Sequence, residues 1–100
     1  MAQALLSIQI LPKVKPGEEV IPYVDRAIEI IKQSGVAYRV ASLETTMEGE
    51  LDQLIDIVKR MNAAMFEMGS PSVMSQIKLV VDGQEGASMA RLLQKYPDGQ

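Results

Sequence analysis

Thr45, Thr46 and Glu48 place two hydroxyls and a carboxylate on neighbouring residues, with Gly49 immediately after them. Such groups can hold a polar or cationic small molecule through hydrogen bonds and charge. Bond-breaking chemistry has less to draw on, because the chain contains neither histidine nor cysteine. The commonest general base and metal ligand is therefore missing, and thiolates and disulfides are unavailable. A zinc site or a Ser-His-Asp triad cannot be assembled from one copy. No catalytic residue, metal ligand or cofactor site is assigned, and the expectation is a protein that is not an enzyme.

The elements that must position these residues belong to one domain, residues 1–100, with a short extension after about residue 82. Ten basic and thirteen acidic residues give a formal net charge of -3 without a basic cluster, so nucleic acid is not an expected partner. The segment MAQALLSIQILPK lacks a basic flank and is interrupted by Ser7 and Gln9, and so is not expected to be a signal peptide. No apolar run reaches the roughly 20 residues that span a bilayer. A soluble, cytoplasmic protein without a membrane partner is the expectation.

Leu6, Ile8 and Ile10 alternate with Leu5, Ser7 and Gln9, the period of a strand over Ala4–Leu11 that Pro12 ends. Val20, Val24, Ala27, Ile28 and Ile31 then recur at helical steps, with Glu18 and Glu19 at the helix start, Pro22 in its first turn and Gly35 as its C-cap. Val36–Ser42 returns to a period of two, and Thr45–Glu50 reads as the other strand of a hairpin. Leu51, Leu54, Ile55, Val58, Met61, Met65 and Met68 predict the longest helix, with Glu50, Asp52 and Asp56 as its exposed acidic start. Its methionines read as core filler, not as a cofactor box. Val73–Val81 is a fourth strand, and Ser88–Tyr96 a short helix beyond which the chain frays.

The order β-α-β-β-α-β predicts an α+β, ferredoxin-like fold, an antiparallel four-stranded sheet with two helices on one face. In the 4-1-3-2 strand order of that arrangement, Ser7 and Gln9 lie beside Thr46 and Glu48 on the face away from the helices. Together with Thr45 they form the candidate ligand site. The same face also reads as the solvated side of an antiparallel sheet. A third reading is a subunit interface, because Ala37, Ala41, Leu5, Met74 and Val80 make it less polar than an ordinary solvated surface.

The segments SIQILP, SGVAYRVASLETTMEGELDQLIDIV and SVMSQIKLVV together resemble the small thiamine-binding proteins of the MTH1187/YkoF type. Ser7 and Pro12 fit that family's first strand, Ser34 and Gly35 its first helix end, and Thr45, Glu48 and Gly49 its central Gly-Thr-x-x-Glu-Gly pattern. The resemblance implies a homo-oligomer, a tetramer, built by packing sheets. It also implies binding of thiamine or its hydroxymethylpyrimidine part without enzymatic activity. An oligomeric scaffold or regulatory interaction protein without a small ligand is the competing reading.

Glu44 stands at the glycine of that pattern, Ser72 where an arginine is usual, and Val80, Val81 and Asp82 replace an acidic and basic strand end. One more carboxylate and one fewer cation suit a thiazolium cation and disfavour a phosphorylated ligand. Thiamine is expected over its phosphates.

Overall fold

The computed structural model describes residues 3–94 and Tyr96. Seven elements follow in order: β1 (Gln3–Pro12), α1 (Ile21–Ser34), β2 (Ala37–Val40), β3 (Thr45–Gly49), α2 (Leu51–Glu67), β4 (Val73–Asp82) and the single turn α3 (Met89–Leu92). The strands form one antiparallel sheet in the order β2-β3-β1-β4, which is the ferredoxin-like arrangement. The expected topology is borne out. No helix among the described residues is long and apolar enough to cross a membrane.

Alternation along β1 sends Ala4, Leu6, Ile8 and Ile10 to the helix side, where they join Met47, Ala27, Ile31, Leu54, Ile57, Met61 and Met65 in the core. Residues two apart on a strand share a face, so register settles the other side as well. Ser7 lies opposite Thr46 on β3 and opposite Lys78 on β4, while Leu5 lies opposite Glu48 and Val80. On β2, Arg39 pairs with Thr46 and Ala37 with Glu48.

The helices begin and end largely where the sequence marks them, but their buried stripes are turned from the expected ones. Pro22 sits in the first turn of α1, and Gly35 caps it at φ 82°, a left-handed conformation that favours glycine. The buried residues of α1 are Tyr23, Ala27, Ile30 and Ile31, whereas Val24 and Ile28 are only half-buried and Val20, just before the helix, is exposed. Its apolar arc is wider than the contact with the sheet, and the sheet takes only one side of it. In α2 the buried set is Leu54, Ile57, Met61, Ala64 and Met65; Ile57 replaces Val58 in the deepest layer, and Met68 is exposed.

No acidic residue lies in the first turn of α1. Glu18 instead closes the loop before it, accepting hydrogen bonds from the Lys15 N–H at 2.9 Å and the Tyr23 hydroxyl at 3.2 Å. Burial, and then the Glu18 carboxylate, push the Tyr23 hydroxyl above its ordinary pKa.

Two further differences lie at the end of the chain. Ile77, Leu79 and Val81, expected to meet the helices, stay 41–46% exposed because β4 is the outermost strand beyond them. The short helix expected over Ser88–Tyr96 is only the turn Met89–Leu92; Lys95 and the fraying expected of residues 97–100 fall outside the described residues.

Candidate functional site

Ser7, Gln9, Thr46 and Glu48 share the face of the sheet that lies away from the two long helices. Thr45 is on the opposite face, paired with Ile8 and Val40, and is buried. The five candidates thus divide between two environments. A period of two forces this split, since Thr45 and Thr46 are successive residues of one strand.

On the open face the polar groups satisfy one another. Thr46 Oγ1 donates to Ser7 Oγ at 3.2 Å, and the Lys78 ammonium pairs with the Glu44 carboxylate at 3.0 Å. The Lys78 hydrogen bond, and then one from Ser7, hold the Glu44 carboxyl below its usual pKa against the opposing effect of burial. A chain of contacts therefore runs from Thr46 through Ser7 to Glu44 and Lys78. Gln9 and Gln76 lie next to it, facing each other across β1 and β4.

Glu48 has a different partner. Its Oε1 accepts a hydrogen bond from the backbone N–H of Met89 at 2.8 Å, where α3 begins. Ser88 caps the same turn by accepting from the Arg91 N–H. The segment after β4 thus crosses the open face. It starts with a turn in which Asp82 Oδ1 accepts the N–H groups of Gln84 and Glu85, contacts that lower the Asp82 pKa. Ala87 is buried, as is Leu5 on the face that this segment crosses.

On the helix side, the solvent-open part of α1 forms one wall of a cleft of about 240 Å³. Val24, Ile28, Ile8, Ile10, Val40 and Leu43 supply apolar surface, and Gln9 and Glu44 stand in its lining, shared with the open-face groove beside Lys78. Thr45 contributes the hydroxyl. Among the described residues nothing hydrogen-bonds it, yet it is not sealed from solvent. A volume below the roughly 300–1,000 Å³ of a drug-sized pocket suits a single ring, with the rest of a ligand at the mouth.

Sequence reasoning missed Glu44 and Lys78 as partners and missed the cleft altogether. The signal for Glu44 was available, because it precedes Thr46 by two residues and so falls on the same face. The cleft was hidden by assigning Val20, Val24 and Ile28 to the core.

The sequence profile of a family described as thiamine-binding protein matches residues 6–96. A UPF0045 protein of Clostridium perfringens is 37% identical over 91 residues, covering 91% of this chain and 94% of its own. Among solved structures, a domain of unknown function (DUF77) from Bacillus cereus superposes with a TM-score of 0.90 at 39% identity, covering 97% of this chain and 92% of its own. A Thermotoga maritima protein, proposed to act in thiamine biosynthesis or salvage, gives a TM-score of 0.83 at 28% identity, with coverage of 94% and 98%. With the match running through the sheet, both long helices and the segment that crosses the open face, the chain belongs to the thiamine-binding protein family.

Proposed function

We propose that this protein binds thiamine or its hydroxymethylpyrimidine part as a homo-oligomer, a tetramer, and catalyses no reaction. The observation that carries this reading is the Thr45 hydroxyl, without a partner among the described residues, in a cleft walled mainly by aliphatic side chains, with Gln9 and Glu44 also in its lining. An aromatic ring gains from leaving water for such walls, and its polar edge needs a hydrogen-bond partner there. Thr45 meets the aminopyrimidine from the cleft wall, and Gln9 and Glu44 stand at the mouth, where Glu44 offsets the thiazolium charge. Ser7 and Thr46 act by orienting Glu44, and Glu48 by fixing the segment that crosses the sheet. A cytoplasmic location fits the absence of cysteine.

Calorimetric titration with thiamine tests the reading. Thr45→Val, which keeps the shape and removes the hydroxyl, is expected to weaken binding by about 0.5–1.5 kcal/mol, roughly 2- to 13-fold. Glu44→Gln is expected to cost about 1.5–3 kcal/mol, and thiamine phosphates should bind more weakly than thiamine. No measurable binding, or unchanged affinity in both variants, overturns the proposal. The competing reading, an oligomeric scaffold without a small ligand, draws on the self-satisfied open face and predicts that no vitamin or pyrimidine raises the melting temperature.

A further inference from the structure

Two donors hold the Glu44 carboxylate, and they differ in permanence. The Ser7 hydroxyl is buried and is itself fixed by Thr46 Oγ1 at 3.2 Å, so it keeps the carboxylate in place whatever happens on the solvent side. The Lys78 ammonium, 3.0 Å from Oε1, ends a flexible side chain that is 78% exposed, against 32% for that of Glu44. Glu44 lines both the aliphatic cleft and the groove on the open face, whereas Lys78 lines the groove alone. One carboxylate therefore faces two approaches, and a cation of the chain itself occupies one of them. The other residues of the groove, Gln9, Leu43, Gln76 and Ile77, carry no charge.

We infer that Lys78 is a built-in competitor for the ligand's cation: it neutralises Glu44 in the unliganded protein and swings out to solvent when an organic cation reaches the carboxylate from the cleft. A single carboxylate offsets one positive charge, and two cations against it repel each other. Which of them stays is decided by water. An ammonium is a compact, strongly hydrated charge, and on this exposed side chain it regains its hydration by rotating about its four-carbon stem. A thiazolium spreads its charge over a ring and has no N–H to donate, so it loses less on settling between a carboxylate and aliphatic walls. Exposed ion pairs hold weakly, so the exchange lowers affinity for a cation only modestly. A neutral pyrimidine requires no exchange at all. Lys78 is thus a specificity-determining residue that narrows the preference for cationic over neutral ligands. Glu44 is one of the residues in which this chain departs from the family's central pattern, so the exchange is an addition to that pattern and not part of it.

The inference rests on the reading above that Glu44 faces the thiazolium, and a double-mutant cycle separates the two. Thiamine and neutral hydroxymethylpyrimidine are each titrated calorimetrically into the unmodified chain, Lys78→Met, Glu44→Gln and the double variant. The readout is the ratio of the two affinities, which a general loss of stability or of cleft shape would not move. Lys78→Met is expected to raise the preference for thiamine by about 2- to 5-fold, the range that an exposed ion pair allows. In the Glu44→Gln background the same change should give no rise. Lys78→Arg, which again brings a cation to the carboxylate, should return the ratio to that of the unmodified chain or below. No rise in Lys78→Met overturns the competition, and so does an equal rise with and without Glu44, which would be diffuse repulsion. In either case thiamine binding that Glu44→Gln weakens leaves the proposed function standing. No thiamine binding to the unmodified chain, or a preference that Glu44→Gln leaves unchanged, overturns the reading and the inference together. If Lys78→Met self-associates through its added apolar surface, Lys78→Gln carries the same test.

Discussion

The carboxylate of Glu48, on the central strand β3, accepts a hydrogen bond at 2.8 Å from the backbone N–H of Met89, 41 residues further along the chain. A carboxylate on an open sheet face needs a compensating partner, and here the partner is the start of the segment that crosses that face. Glu48→Gln should loosen that segment, speeding amide exchange at Met89 and Arg91, while thiamine affinity changes less than about 3-fold. A loss of about 10- to 150-fold, the worth of a charged hydrogen bond, would show Glu48 touching the ligand directly.

Leu54 and Ile57 are fully buried in α2, whereas Val58 is half-buried. Leu54→Ala and Ile57→Ala are each expected to cost about 2–5 kcal/mol in urea unfolding. Val58→Ala should cost less than half as much, and Glu50→Ala, at an exposed site, less than about 0.5 kcal/mol. If Val58→Ala matches Ile57→Ala, the helix is rotated from the orientation described.

Glu44 titrates below an ordinary glutamate because Lys78 and Ser7 hydrogen-bond its ionised form. A carboxyl whose folded pKa is depressed contributes stability that is present above its unfolded value and is lost as pH falls through the folded one. Side-chain carboxyl NMR should place its midpoint below that of the exposed glutamates. Lys78→Met should move it upward, and no movement would mean that the ion pair does not form in solution.

A Cβ built on Gly49 meets Gln53 Oε1 at 3.1 Å, Leu54 Cδ2 at 3.4 Å and Val36 Cγ1 at 3.6 Å. Gln53 can swing away, but Leu54 belongs to the core. Gly49→Ala is therefore expected to destabilise by about 1–3 kcal/mol through overpacking. Pairing Gly49→Ala with Leu54→Val should recover part of the loss if the clash is the cause.

Period-two alternation was enough to lay out β1, the β2–β3 hairpin and β4, because a strand's faces are fixed by parity alone. The helices were less legible. From its N-cap Val20 onward, α1 is apolar at Tyr23, Val24, Ala27, Ile28, Ile30 and Ile31, an arc wide enough that only the position of the sheet decides which residues are covered. In the candidate site, parity correctly grouped Ser7, Gln9, Thr46 and Glu48 on one face and, applied strictly, separates Thr45 from them. The Met89 contact of Glu48 had no local signal, since it depends on where the chain goes after Asp82.

β1 holds the middle of the sheet with β3 on one side and β4 on the other, and its ten-residue ladder with β4 joins the two ends of the fold. During synthesis, Leu6, Ile8 and Ile10 emerge early, yet one flank of their strand has no partner until Val73–Asp82 has left the ribosome. Pairings so distant in sequence must close a long loop before they return any energy, which slows folding. The exposed interval falls on the most hydrophobic strand of the chain. Its demand on chaperones is greatest just before the last strand arrives.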